Sequence, residues 1–174
     1  MCRTTSLERG NRREDVFFGD ADRRRYLLLM LEYARAHALE IWAYCLMTNH
    51  VHFVAVPREP EALAATFKPV HMRYAQHVNR RLRTTGHLWQ GRYHSCPLDE
   101  EHLWQAVRYV ERNPVRAGLV RRAERYPWSS AAAHVGRRRT WGVGGTRWWA
   151  AAWSGAAWWR TGRRGCGRAR MRRS

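Results

Sequence analysis

Two histidines, His50 and His52, stand two residues apart in the strongly apolar segment YCLMTNHVHFVAVP. Side chains two apart on a β-strand point to the same face, so both imidazoles are predicted to share a face while Val51 and Phe53 take the other. Histidine is the most common metal ligand in proteins. The pair therefore predicts either half of a metal site or two incidental polar side chains near a strand end.

Tyr109 and Asn113 are the other candidates for chemistry, in the segment DEEHLWQAVRYVERNPV. Its apolar residues recur at helical spacing and mark a buried stripe: Leu103, Ala106, Val107 and Val110. Tyr109 lies about 110° and Asn113 about 70° from the stripe centre, one turn apart on one flank. Each alone is typical of packing or of a helix end. Beside a histidine pair they predict a nucleophile next to a metal ligand; His102 is a weaker candidate on the same flank.

Four short blocks follow one another along the chain: MTNHVHFV, GHLWQGRYHS, YVERNPVRAGLV and YPWSSAAAH. Their order and spacing strongly resemble the REP-associated tyrosine transposases, a branch of the single-tyrosine HUH (IS200-like) transposases. The resemblance runs from about Arg9 to Val135. It implies a ferredoxin-like core and a single-strand DNA endonuclease that binds hairpins formed by repetitive extragenic palindromes and cuts beside them.

The resemblance also implies roles for individual residues. His50 and His52 would be metal ligands, Val51 the hydrophobic residue between them, Tyr109 the nucleophile and Asn113 the third ligand. A divalent cation, Mg²⁺ or Mn²⁺, would offset charge as a phosphodiester is attacked, and two imidazoles with an amide oxygen leave its charge undiminished. Attack by a tyrosine would give a 5′-phosphotyrosine and conserve the bond energy for rejoining.

Basic, polar and aromatic side chains around the second block are candidate contacts to single-stranded or hairpin DNA. A tryptophan can stack on a base and an arginine can hold a phosphate. A solvated helix face and a packed tryptophan would explain the same residues without DNA. The candidates are Arg73, Asn79, Arg80, Arg81, His87, Trp89, Gln90 and Arg92.

The elements that must position these residues are a helix over about 20–39, a hairpin over 40–57, a helix over 61–82, a strand over 92–98 and a helix after Asp99. This order predicts an α+β fold, a sheet with helices on one face. The resemblance implies that this is a ferredoxin-like antiparallel sheet, which needs one more strand before the first helix. The segment CRTTSLERG has a poor strand pattern, so a truncated first strand is expected. Pro69 is expected to kink or break its helix, and Pro114 to end the last helix near Asn113.

The net charge of +18 favours a polyanionic partner such as nucleic acid, although nearly all of it is arginine, which a GC-rich coding sequence would also produce. Residues 136–174 hold eleven arginines and six tryptophans, which leaves 21 basic and 14 acidic residues before them, a net charge of +7. Residues 1–135 are therefore predicted to form the transposase domain. The tail is interpreted as disordered or frameshift-derived, with a nucleic-acid arm or a membrane-surface segment as alternatives.

Compartment and partners are inferred from the remaining composition. The four cysteines are scattered and form no Cys-x-x-Cys pair, and no segment is long enough to span a bilayer. A reducing, cytoplasmic setting near the nucleoid, no membrane partner, and a monomer or homodimer are expected. Two other functions stay open: a catalytically degenerate hairpin-DNA-binding protein, and a structural zinc site at the histidines.

Overall fold

The computed structural model describes residues 3–10, 14–91 and 94–136. Their elements follow the chain in the order β1 Arg3–Arg9, α1 Asp20–Ala36, β2 Leu39–Leu46, β3 His50–Pro57, α2 Ala62–Leu82, β4 His94–Leu98 and α3 Glu100–Arg116. A 3-10 turn at Ala123–Arg125 and a short helix, α4, at Ala131–His134 complete them. No helix of this part of the chain is long and apolar enough to cross a membrane.

The four strands form one antiparallel sheet in the order β2-β3-β1-β4. With α1 and α2 as the connections, this is the β-α-β-β-α-β arrangement of ferredoxin-like folds. The predicted α+β class and antiparallel sheet are confirmed. The expected truncation of the first strand is wrong, because Arg3–Arg9 pairs along its length with β3 and, through Leu7, with β4. Pairing on both edges outweighs the weak strand propensity of RTTSLER.

The helices lie on both faces of the sheet, so the expectation that they all share one face needs correction. Val51, Phe53 and Ala55 of β3 pack in the same core as α1 and α2. Val54, on the alternate face, packs in a second core with α3, through Leu103, Val107 and Val110. Because strand side chains alternate, one apolar strand serves two cores, and the second belongs to α3 alone.

Neither proline ends its helix. Pro69 lies inside α2, which continues to Leu82, and Pro114 lies inside α3, which continues to Arg116 instead of stopping near Asn113. Each proline removes one backbone hydrogen bond, but α2 buries Phe67 on one side of Pro69 and Val70 on the other. Tertiary packing therefore carries both helices through positions that local propensity disfavours.

The segment that follows α3 folds back onto β2. The backbone N–H of Leu46 donates to the Trp128 carbonyl at 2.9 Å, and the N–H of Ser130 donates to the Tyr44 carbonyl at 3.0 Å. The Tyr126 hydroxyl donates to the Leu46 carbonyl at 2.8 Å, and burial raises the pKa of Tyr126 to about 12. The end of the described chain is thus attached to the same sheet as the histidine pair. The predicted tail, from residue 137 on, lies outside the described residues.

Candidate active site

The two histidines occupy the start of β3 and point to the α3 face, as their spacing predicts. His52 is buried, 5% exposed, and His50 is half-buried. Their ring centroids are 4.8 Å apart and the ring planes are nearly perpendicular. Two imidazoles this close on one face can both bind a single metal ion.

The turn before β3 fixes the position of His50. Its Nδ1 lies 2.6 Å from Asn49 Oδ1, and its carbonyl accepts a hydrogen bond from Met47 N at 2.9 Å. The Asn49 carbonyl accepts a hydrogen bond from Gly10 N at 2.8 Å. A Cβ at Gly10 would collide with the Glu14 carbonyl oxygen, so only glycine permits this close approach.

Tyr109 of α3 stands beside the histidine pair. Its ring centroid is 5.8 Å from that of His52, with the rings perpendicular. The side chain is 48% exposed, so a substrate can reach it. The guanidinium carbon of Arg116, two turns further along α3, lies 4.9 Å from the ring centroid on a cation–π geometry. A tyrosine, a histidine pair and a positive charge therefore meet at one accessible point.

Asn113 is half-buried one turn after Tyr109, and its Nδ2 donates to the Tyr109 carbonyl at 3.1 Å. This bond leaves the amide oxygen as the group that could bind a cation. Among the described residues, no three or more His, Cys, Asp or Glu side chains cluster closely enough to hold a metal. The two imidazoles, with the Asn113 amide oxygen that sequence analysis predicts as third ligand, stay the candidate donor set. Such a set suits a divalent cation with open positions.

Two of the predicted DNA contacts make contacts within the protein. Trp89 is buried, 7% exposed, and its indole N–H donates to the His71 carbonyl at 3.2 Å, so its ring is not open to a base. Arg81 binds the buried carboxylate of Asp22 through two hydrogen bonds, of 2.5 and 3.0 Å. The packed tryptophan that sequence reasoning kept as an alternative is the arrangement found.

Three other predicted contacts, Asn79, His87 and Gln90, line an open groove of about 720 Å³ between α2 and residues 86–91. Its polar lining includes Gln76, Asn79, His87 and Gln90, and Asn79 Nδ2 donates to the Gly86 carbonyl at 2.9 Å. Arg73 and Arg80 are exposed on α2. Arg92 lies outside the described residues.

The groove and His50 are at the same end of the sheet. Trp89 forms an isolated bridge with Gly10, the residue that also bonds to Asn49 beside His50. The groove itself opens on the α2 side and the histidines on the α3 side. Among the described residues, Gly10 connects the two through its backbone contacts with Trp89 and Asn49.

Comparison with known proteins was made on this basis. The family model for IS200-like transposases matches residues 7–113, more than half of the chain. The chain belongs to the IS200-like transposase family. A search of curated proteins gave no significant match.

One solved structure shares the fold of this transposase. The structure of a REP-associated tyrosine transposase bound to a REP hairpin aligns with a TM-score of 0.61 and 18% identity, over 78% of this chain and 79% of that one. A Deinococcus radiodurans protein assigned as a transposase aligns with a TM-score of 0.46 and 20% identity, over 63% and 88% of the two chains. At these identities the first match describes the shared fold.

The transposase has site residues that its sequence pattern did not reveal. Arg116 was not predicted, although it lies seven residues after Tyr109 on the same side of a helix. Glu111 was missed because a charged residue is ordinarily placed at the surface, yet it is fully buried. His102 is exposed, and its N–H and Nδ1 both bond to the Asp99 carboxylate, so it belongs to the N-terminal cap of α3.

Proposed function

We propose that this transposase is a metal-dependent single-strand DNA endonuclease that cuts and rejoins DNA at hairpins through a 5′-phosphotyrosine on Tyr109. The observation that carries the proposal is the placement of the Tyr109 ring against His52, with His50 beside it. The three residues come from two elements far apart in sequence. Their convergence at an accessible point has no obvious use in packing.

The metal would be held by His50, His52 and the amide oxygen of Asn113. Mixed nitrogen and oxygen ligands suit Mg²⁺ or Mn²⁺ as the ion used in the cell. When bound, such an ion polarises the phosphodiester and offsets negative charge in the transition state. The hydrogen bond between Asn49 and His50 orients the ring that would bind it.

Tyr109 would supply the nucleophile. Its hydroxyl oxygen attacks phosphorus, a new oxygen–phosphorus bond forms, and the bond to the 3′-oxygen breaks. The phenolic proton passes to solvent water, and the departing 3′-oxygen takes up a proton from water to become a hydroxyl. Arg116 places a positive charge where the phosphate oxygens would come to lie. Because the phosphodiester energy is kept in the phosphotyrosine, the reverse attack by a 3′-hydroxyl rejoins the strand.

The proposed partner is single-stranded or hairpin DNA of the palindromic kind. The similar REP-associated transposase was solved with a REP hairpin, and the chain before the tail has a net charge of +7. Arg73 and Arg80 would contact phosphates. His87 and Gln90, at the rim of the groove, would contact bases or sugars. Such work on chromosomal hairpins takes place at the nucleoid, in the cytoplasm.

The test is covalent capture of a labelled hairpin. The protein is incubated with the hairpin and Mn²⁺, and adducts are separated under denaturing conditions. Wild type is expected to form an adduct, whereas Tyr109→Phe is expected to form none while binding the hairpin normally. Tyr33→Phe, a half-buried tyrosine on the other side of the sheet, is the matched control. An adduct that survives Tyr109→Phe contradicts the proposal.

The same experiment separates the alternative functions. Tight hairpin binding without any metal-dependent adduct identifies a degenerate binding protein. Zinc retained through purification, and required for folding but not for any reaction on DNA, identifies a structural metal site. Removal of residues 137–174 is expected to leave adduct formation intact, since residues 1–135 are proposed to contain the whole catalytic domain; a large loss would assign the tail a role in DNA binding.

A further inference from the structure

A polar cluster is buried between α3 and the segment that follows it. Glu111 and Ser130 are fully buried, and the side chain of His134 is 2% exposed. Ser130 Oγ donates to Glu111 Oε1 at 2.5 Å, and His134 Nδ1 lies 2.5 Å from the same oxygen. A carboxylate at the centre, rather than a histidine, excludes the nucleophile-activating order of a serine hydrolase triad.

The cluster joins α3 to strand β2 as well as to the last helix. Ser130 Oγ accepts a hydrogen bond from Tyr44 N at 3.0 Å, and Ser130 N donates to the Tyr44 carbonyl at the same distance. Burial and the charge of Glu111 raise the pKa of the neighbouring Cys45, and Cys45 is the residue paired with His52 across the sheet. Glu111 is thus anchored one strand away from the histidine pair.

The burial of Glu111 is hard to explain by stability. Its Oε2 atom has no hydrogen-bond partner among the residues described by the structure. A buried carboxylate with an unsatisfied oxygen costs free energy that an apolar side chain of similar volume would not. The apolar contact between α3 and the sheet runs through Leu103, Val107 and Val110.

A hydrogen-bonded contact fixes the position of α3 on the sheet more closely than apolar contacts do. Apolar contacts are non-directional, so they permit small rotations and translations of α3 on the sheet. Hydrogen bonds weaken steeply with distance and angle. The side chain of Tyr109 is half exposed, so the position of its hydroxyl follows that of the α3 backbone.

We propose that Glu111 is a positioning residue, which fixes α3 on the sheet through Ser130 and His134 and thereby holds Tyr109 against His52. The inference rests on the proposed role of Tyr109 as nucleophile. Glu111 contacts neither DNA nor metal in this scheme. It acts only on the distance between the tyrosine and the histidine pair.

The test compares Glu111→Leu with Glu111→Gln. Leucine removes the hydrogen bonds, whereas glutamine keeps an oxygen that accepts from Ser130. At saturating hairpin, Glu111→Leu is expected to slow adduct formation roughly tenfold to a hundredfold, the cost of misplacing a reacting group by about 1 Å. Hairpin affinity should stay unchanged, and Glu111→Gln should restore most of the rate. Ser130→Ala should reproduce the leucine result if the leucine variant folds poorly.

The control is Val78→Ala, which removes buried volume from α2 on the opposite side of the sheet. It should lower the unfolding temperature without slowing the adduct step at a temperature where the protein is folded. If Glu111→Leu keeps the wild-type rate, or if Val78→Ala slows the reaction equally, the positioning role is wrong.

A spectroscopic measurement separates this inference from the proposed function. Fluorotyrosine at position 109 reports the ring environment by fluorine NMR, whether or not the enzyme reacts. Glu111→Leu is expected to shift or broaden this resonance, and Val78→Ala to leave it unchanged. If Glu111→Leu shifts the resonance but Tyr109→Phe still forms the adduct, Glu111 positions Tyr109 and Tyr109 is not the nucleophile. If Glu111→Leu leaves the resonance unshifted, the positioning role of Glu111 is wrong.

Discussion

The two faces of the central sheet use the same strands for opposite purposes. The face under α1 and α2 is packed with apolar and aromatic side chains, among them Phe17, Tyr26, Phe53, Phe67 and Tyr74. The α3 face also has an apolar core, but it buries a series of polar groups next to it: Cys45, His52, Glu111, Ser130 and His134. The apolar packing of the first face favours stability. The second face contains the candidate active site, and its buried polar groups cost stability.

The difference is clearest in two histidines of equal burial. His71, on the α2 side, is 8% exposed and accepts or donates one hydrogen bond with the Tyr26 hydroxyl at 2.8 Å. His52, on the α3 side, is 5% exposed and faces a second imidazole and a half-exposed tyrosine. Burial alone therefore does not separate a structural histidine from a proposed ligand; the neighbouring side chains do.

The largest effect is expected from His52→Ala. Loss of a proposed metal ligand beside Tyr109 should reduce adduct formation by at least about a thousandfold, as removal of a central catalytic group does. The hairpin should still bind, and the adduct rate is compared at a temperature where the variant is folded, because removal of a buried ring also lowers stability. His52→Ala with near-normal adduct formation would remove the basis for treating the two faces differently.

His71→Ala should show the opposite pattern. Removal of this buried ring leaves a cavity and an unpaired Tyr26 hydroxyl, which should cost about 2–4 kcal/mol of unfolding free energy. Equilibrium unfolding in urea measures that cost. The adduct rate of the folded fraction should remain that of wild type; a selective loss of rate would show that the α2 face takes part in the reaction.

The pH dependence of stability sharpens the same comparison. Burial lowers the pKa of His71 from 6.5 to about 3. Between these values the unfolded chain binds a proton that the folded chain does not, so stability should fall by about 1.4 kcal/mol for each pH unit below 6.5. Above pH 6.5 the residue is neutral in both states and contributes no slope.

His71→Gln is the variant that checks this prediction. Unfolding free energies are measured by urea titration from neutral pH to about pH 5, above the range in which most carboxylates titrate. The slope of wild type should exceed that of the variant over this interval. Equal slopes would mean that His71 does not account for the acid sensitivity.

The smallest effects are expected from substitutions of the α2 arginines. Arg73→Gln should weaken hairpin binding severalfold and lower the salt dependence of log Kd by about one unit, as expected for one lost phosphate contact. Arg81→Gln should instead destabilise the fold, since it leaves the buried Asp22 carboxylate unpaired. Fluorescence anisotropy at several salt concentrations distinguishes the two. If both variants lose affinity equally and neither is destabilised, the distinction between a DNA-contacting Arg73 and a structural Arg81 is wrong.

The sequence was sufficient where one local periodicity decided the outcome. The strand alternation predicted that His50 and His52 share a face opposite Val51, and the structure confirms it. The helical periodicity placed Tyr109 and Asn113 on one flank, and α3 brings Tyr109 to His52; the role of Asn113 stays a prediction. The α+β class followed from the order of these elements.

The sequence was insufficient where non-local contacts overrode local preference. The strand at Arg3–Arg9 forms because it is paired on both edges, which its own residues do not signal. Pro114 is accommodated within α3, and Trp89 is covered by His71 and Tyr26. Glu111 occupies a core position that pattern analysis assigns to apolar residues. Its partners, Ser130 and His134, lie about twenty residues away.

The position of β1 between β3 and β4 has a consequence for how the molecule folds. This strand pairs Leu7 with His52 on one side and with His94 on the other. Both pairings close long loops, so the sheet depends on contacts of high sequence separation, which form slowly. The β2-β3 hairpin, whose strands are adjacent in sequence, is the natural first unit. His50 and His52 would then lie on a formed hairpin before α3 packs against it and brings Tyr109 beside them.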